Sequence, residues 1–163
     1  MTESPKRVVI LDDEEPMVDA LRVRFGGKGW DVRSYTSSAM FESVELSGRQ
    51  PAVFIVDHDL GSGIVGYQVV QRLRETRPDG LALPVVYLTG RESEKGYLEA
   101  RLTTPNLRPS VFVSKNKLAS LDLVEVCSNL LDHYSQILQF EQLQTLRRAA
   151  ADLARSIPEE SDL

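Results

Sequence analysis

Val53-Phe54-Ile55-Val56-Asp57-His58-Asp59 places an unbroken apolar run directly before two acids. A short continuous run rich in β-branched residues suits a strand covered on both faces, as in a parallel sheet. The pattern recurs on either side: Val8-Val9-Ile10-Leu11 runs into Asp12-Asp13, and Val85-Val86-Tyr87-Leu88 runs into Thr89. Val32–Tyr35 and Val111–Val113 are weaker strand candidates, the latter leading to Lys115. Helical patterns fill the gaps. Met17, Leu21 and Phe25 repeat every four residues and Gly26-Gly27 stops them; Phe41 and Val44 share a face; Val69, Val70 and Leu73 mark a third helix ending near Pro78. A fourth, over Glu92–Arg101, is polar, with Tyr97, Leu98 and Leu102 as its large apolar residues. A fifth begins near Leu118.

Strand and helix thus alternate five times, which predicts an α/β doubly wound parallel sheet with helices on both faces. Ligand chemistry in such sheets gathers at the carboxyl ends of the strands. Here those ends are Asp12-Asp13, Asp57, Thr89 and Lys115.

The bulk properties narrow the function classes. The 163 residues carry a formal charge of −5. A non-specific nucleic-acid footprint is basic, so direct nucleic-acid binding by this chain is disfavoured. The single cysteine, Cys127, forms no intrachain disulfide and fits a reducing, cytoplasmic setting; it sits on an apolar helix stripe, where packing is its expected role. No apolar run approaches the roughly 20 residues that span a bilayer, and the apolar stretch after the polar N-terminus is too short for a signal-peptide core.

Either acidic pair alone reads as helix caps or solvated loop residues. Adjacent first and third strands, the common doubly wound arrangement, make the pairs converge. Two unit charges at about 4 Å repel by about 4 kcal/mol at an effective dielectric near 20, so such a cluster calls for a cation or shifted pKa values. Mg²⁺ suits it, taking one or two carboxylates and keeping waters. Lys115 adds a fixed positive charge and Thr89 a hydroxyl. A carboxylate beside Mg²⁺, a lysine and a threonine is equipped for phosphoryl transfer.

These segments resemble the receiver domain of two-component response regulators. Val9-Ile10-Leu11-Asp12-Asp13-Glu14-Glu15-Pro16 is similar to the family's opening, Phe54-Ile55-Val56-Asp57-His58-Asp59-Leu60 with Gly66 beyond to the phosphoacceptor segment, Val85-Val86-Tyr87-Leu88-Thr89-Gly90 to the fourth strand, and Val111-Phe112-Val113-Ser114-Lys115 to the fifth. The resemblance covers residues 6 to about 134. It implies a flavodoxin-like five-stranded sheet of order 2-1-3-4-5 and a bacterial signalling protein rather than an enzyme. Asp57 would accept a phosphoryl group from a sensor histidine kinase or phosphotransfer protein. Asp13 would ligate Mg²⁺ directly, Asp12 through water and Asp59 through its carbonyl, alongside Asp57. Lys115 would pair with the phosphoryl group, and Thr89 and Phe112 would switch. Asn116 stands where the family usually has proline, and Gly90 where it usually has alanine. The loop from Asp57 to Gly66 is one residue longer than the commonest pattern, and the Thr89–Lys115 segment is also long, with Pro105 and Pro109 in it. His58 is read as an exposed neighbour of Asp57, and His133 lacks a kinase-type histidine box.

Beyond about Ser135 the chain reads as a continuation of the fifth helix to about Ser156. Roughly 39 helical residues would reach about 58 Å, against about 35 Å for the domain, so the helix must project. The division expected is a receiver domain over 1–134, a helical extension over 135–156 and a flexible tail over 157–163. Val124, Cys127, Leu131, Tyr134 and Leu138 form one stripe, and Leu143, Leu146, Ala150 and Leu153 a second in a different register. The second implies a homodimer or a linker to an output module, the alternative being that it folds back on its own domain. Three rival functions stand against this reading, the first of which uses similar residues. In an aspartate-nucleophile phosphatase of the haloacid-dehalogenase type the acidic pair follows the lysine, whereas Asp12-Asp13 precedes everything here. A dimerising scaffold without phosphorylation would not need all five chemical positions. Flavodoxin-like cofactor binding is disfavoured because Asp-Asp-Glu-Glu follows the first strand, where acid repels a phosphate.

Overall fold

The structure is a computed structural model and describes residues 4–90 and 110–156. Five strands form one parallel sheet: β1 (Arg7–Leu11), β2 (Asp31–Tyr35), β3 (Val53–Asp57), β4 (Val85–Thr89) and β5 (Ser110–Ser114). Their order is β2-β1-β3-β4-β5. The helices are α1 (Glu15–Gly26), α2 (Ser38–Glu45), α3 (Gly66–Thr76) and α4 (Leu123–Ser156). The fold expectation is met: a doubly wound parallel sheet with an extended C-terminal helix. The polar fourth helix expected over Glu92–Arg101, and the tail from 157, lie outside the described residues.

Burial explains the strand patterns. Every residue of β1, β3 and β4 is buried, whereas edge strand β2 is half exposed. Continuous apolar runs therefore mark the strands with helices on both faces. The chain reverses its march across the sheet once, after β2, and right-handed crossovers then put α1 and α4 on one face and α2 and α3 on the other. Arg24 of α1 accordingly donates to the Leu118 carbonyl at 2.9 Å and to that of Leu121, ahead of α4. On the opposite face Phe41 of α2 meets Phe54 of β3 edge-to-face, ring centroids 6.1 Å apart.

Two local expectations are corrected. Val44 does not share the buried face of Phe41: it is 38% exposed, and Glu45 is buried instead. Glu45 can be buried because Tyr35 Oη donates to it at 2.8 Å and Arg33 stands 3.8 Å away. The long helix begins at Leu123, not near Leu118. A 3-10 turn occupies Lys115–Lys117, and the Asp122 carboxylate accepts from the Glu125 N–H at 3.1 Å as an N-cap.

α4 is fastened where it leaves the domain. Tyr134 Oη donates to Asp79 Oδ2 at 2.8 Å. Asp79 in turn receives Arg77 Nε at 3.0 Å and Nη2 at 3.2 Å, and the Arg77 guanidinium lies over the Phe54 ring. Tyr134→Phe is expected to lower unfolding free energy by about 1–2 kcal/mol in urea titration, because a partly buried carboxylate loses a donor.

Candidate functional site

The sheet brings its reactive strand ends to one edge. β1 pairs with β3 through Leu11↔Val56, so Asp12 and Asp57 emerge side by side. β3 pairs with β4 through Asp57↔Leu88, and β4 with β5 through Thr89↔Ser114, which delivers Lys115 just beyond. This is the switch point between β1 and β3, where a doubly wound sheet opens a crevice.

Three carboxylates meet there. Asp12, Asp13 and Asp57 each present an oxygen within 4.8 Å of the others. Asp12 and Asp57 are buried and Asp13 is exposed. Lys115 Nζ stands 3.0 Å from Asp12 Oδ2, 3.3 Å from Asp57 Oδ2 and 3.6 Å from Glu14 Oε2. The Asp12 contact is an ion pair off the line of a hydrogen bond. The other Asp12 oxygen accepts from the Glu14 N–H at 2.9 Å at the start of α1. A cleft of about 300 Å³ opens over the cluster, lined by Asp13, Glu14, Asp57, Asp59, Gly61, Gly90 and Lys115.

Charge is unbalanced here, because Asp12, Glu14 and Asp57 all face the single ammonium of Lys115. Burial, then the Asp12 charge, pushes Asp57 up from 3.8 to about 7 against the pull of Lys115. Burial also raises Asp12, opposed by the Glu14 N–H and Lys115. Burial works against the Lys115 ammonium, yet Asp12, Asp57 and Glu14 together hold its pKa above 10.5. A hard divalent cation fits this donor set: three carboxylates within reach of one point, one exposed toward a polar cleft, and too little positive charge of their own.

The loop after β3 shapes the cleft. Asp59 is exposed, and its Oδ1 accepts from the Gly61 N–H at 3.0 Å, so its side chain is spent on a local turn. Asp59 bridges Val65 in antiparallel fashion, and the tip between them has positive φ at Gly61, Ser62 and Gly63. A Cβ on Gly61 would come within 3.2 Å of Asp13 Oδ2. Gly66 is tighter still: a Cβ there would lie 2.2 Å from the Asp57 carbonyl oxygen.

Thr89 is fully buried at the end of β4 and does not line the cleft; Gly90 does. Phe112, half-buried, stacks on Tyr87 with centroids 5.2 Å apart and planes 10° from parallel. Tyr87 is two residues before Thr89, so both face the same side of the sheet. Asn116 donates its N–H to Ser114 Oγ at 3.3 Å, a bond proline could not make. His58 is half-buried rather than exposed. His133 is exposed on α4, and Cys127 is fully buried, its thiol pushed up to about 12 by burial. Sequence reasoning missed Glu14 as a third carboxylate on Lys115 and Tyr87 as the partner of Phe112; an acid two residues after Asp12, and an aromatic two before Thr89, were the available signals.

No protein-family model matches the chain. Solved structures do. A response regulator receiver domain protein from Methanospirillum hungatei superposes with a TM-score of 0.66 at 17% identity, covering 82% of this chain and 98% of its own. A response regulator receiver protein from Sinorhizobium medicae gives 0.64 at 20% identity, covering 80% and 98%. An adenylate cyclase from Rhodopirellula baltica gives 0.67 at 21% identity, covering 87% and 98%. The fold is thus that of receiver domains. No described helix is long and apolar enough to cross a membrane.

Proposed function

We propose that the chain is a response-regulator receiver that takes a phosphoryl group on Asp57 and passes the change to a partner or output module. The observation that carries this is Asp57 itself: a buried carboxylate at a strand end, 3.3 Å from Lys115, open to a polar cleft and flanked by Asp12 and Asp13.

The donor is a phosphohistidine of a sensor kinase or phosphotransfer protein. An Asp57 oxygen attacks phosphorus in line, the P–N bond breaks, and its electron pair leaves with the imidazole. Lys115, already within 3.3 Å, offsets charge on the transferred group. A divalent ion held by Asp12, Asp13 and Asp57 would keep Asp57 ionised and neutralise phosphoryl oxygens. Gly90, without a Cβ, leaves the cleft open to the donor. Thr89 then turns its hydroxyl to the new dianion, and Phe112 leaves its stack on Tyr87, a population shift between two packings. Self-phosphorylation and slow self-dephosphorylation are the chemistry expected of the chain alone.

Incubation with acetyl phosphate and Mg²⁺ is expected to add one phosphoryl mass to the intact protein, and excess EDTA to prevent it. Equal uptake with EDTA would remove the divalent cation from this account.

A further inference from the structure

A second cleft lies at the edge of the sheet opposite Asp57, where β1 begins at Arg7 and Ala52 precedes β3. It measures about 230 Å³, and Arg7, Arg33, Arg49, Arg77, Glu45 and Gly48 line it. Four guanidiniums around one small space repel one another, and the fold answers them with three carboxylates. Asp31 stands 3.8 Å from Arg7, Glu45 3.8 Å from Arg33, and Asp79 3.0 Å from Arg77. Arg49 is exposed and has no ion pair among the described residues. Two of the guanidiniums are also short of acceptors. Arg7, 8% exposed, gives Nη1 to Gln50 Oε1, but its buried Nε donates to nothing. Arg77, 4% exposed, gives Nε and Nη2 to Asp79 and Nη2 to the Gln50 carbonyl, and keeps Nη1 beside Gly48. A Cβ on Gly48 would stand 3.0 Å from that Nη1 and 3.4 Å from Glu45 Oε2, so the absent side chain keeps the space between them open.

We propose that this cleft binds a compact phosphate, either the free ion or a small monoester, with Arg7, Arg33, Arg49 and Arg77 as its counter-charges and Glu45 as its selector. The planar fork of arginine matches the oxygens of a phosphate. The volume is below the roughly 300 Å³ at which pockets for drug-sized ligands begin, which calls for a small anion. Glu45 decides between anions. Its Oε1 accepts from Tyr35 Oη at 2.8 Å, while Oε2 accepts from none of the described residues and faces Gly48. A carboxylate oxygen in an anion site repels any ligand that brings only acceptors. A phosphate monoester loses its last proton at about pH 6, so at that pH half of it still carries a P–OH that can donate to Glu45. Sulfate and ionised carboxylates carry no such proton. The inference rests on this edge of the sheet alone and does not depend on phosphorylation of Asp57.

Calorimetric titration of the full chain at pH 6 in EDTA is expected to show one equivalent of inorganic phosphate or of glycerol 3-phosphate bound, and sulfate bound roughly tenfold more weakly. EDTA leaves the acidic cleft at Asp57 without a cation to hold an anion. Whichever of the free ion and the ester binds more tightly supports the site and names its source. Arg49→Ala is expected to weaken binding roughly tenfold and to keep the unfolding transition of the parent, since Arg49 is exposed and carries no ion pair among the described residues. Glu45→Gln, whose amide can donate, is expected to bring sulfate level with phosphate. Wild type that binds neither phosphate overturns the site. Arg49→Ala that binds as tightly as wild type overturns its location. Sulfate and phosphate bound equally by wild type would mean a charged patch without selection and overturns the assignment of the ligand.

Discussion

Asp57→Asn is expected to stabilise the metal-free protein at pH 8 by about 4 kcal/mol, although it removes a partner of Lys115. In the folded state Asp57 holds its proton to about pH 7, against 3.8 for an ordinary carboxyl. Across that window the folded state binds more protons than the unfolded chain, so this group's contribution to stability falls as pH rises. Asparagine stays neutral and carries no such loss. The advantage of the variant should shrink toward zero by pH 4, where both side chains are neutral. Mg²⁺ should recover the deficit of the wild type and do little for the variant. Urea titrations at the two pH values decide it: a variant less stable than wild type at both would mean that Lys115 outweighs burial and Asp12.

Gly66→Ala carries the second large effect. The added Cβ would meet the Asp57 carbonyl oxygen at 2.2 Å, its carbonyl carbon at 3.0 Å and Val56 Cγ1 at 3.0 Å. The first two are backbone atoms of a central strand, and Gly66 N–H is itself tied to the His58 carbonyl at 2.7 Å. Neither side can give way cheaply, so the loss should reach about 3 kcal/mol, the upper end for overpacking. It should also displace the acceptor carboxylate and slow phosphoryl uptake in whatever fraction folds. Gly90→Ala is the control. Nothing lies within 4 Å of a Cβ there, so a change within about 0.5 kcal/mol is expected. Equal destabilisation by the two alanines would remove the steric account.

The parts legible in the sequence were those fixed by local chemistry. Val53–Val56 announced a strand because burial on both faces demands an unbroken apolar run. Asp12, Asp13, Asp57 and Lys115 could be brought together because topology alone sets which strand ends are neighbours. The tail stripe was legible because helical periodicity does not depend on what the helix touches. The start of α4 was not, since no glycine or proline marks the turn at Lys115–Lys117 and Asp122 caps the helix by geometry. The burial of Glu45 left no local signal because its shelter comes from Tyr35 and Arg33 on a neighbouring strand. The Tyr134–Asp79 bond joins residues distant in sequence, and the Tyr87–Phe112 stack depends on the register of β4 against β5. Neither leaves a local pattern. These long-range contacts set the direction in which α4 leaves the domain and the position of the Phe112 ring.

The central claim is that Asp57 is the acceptor. Intact mass after incubation with acetyl phosphate and Mg²⁺, run on wild type and Asp57→Asn side by side, tests it most directly. The account predicts one added phosphoryl group on the wild type and none on the variant; the same gain on both would contradict it.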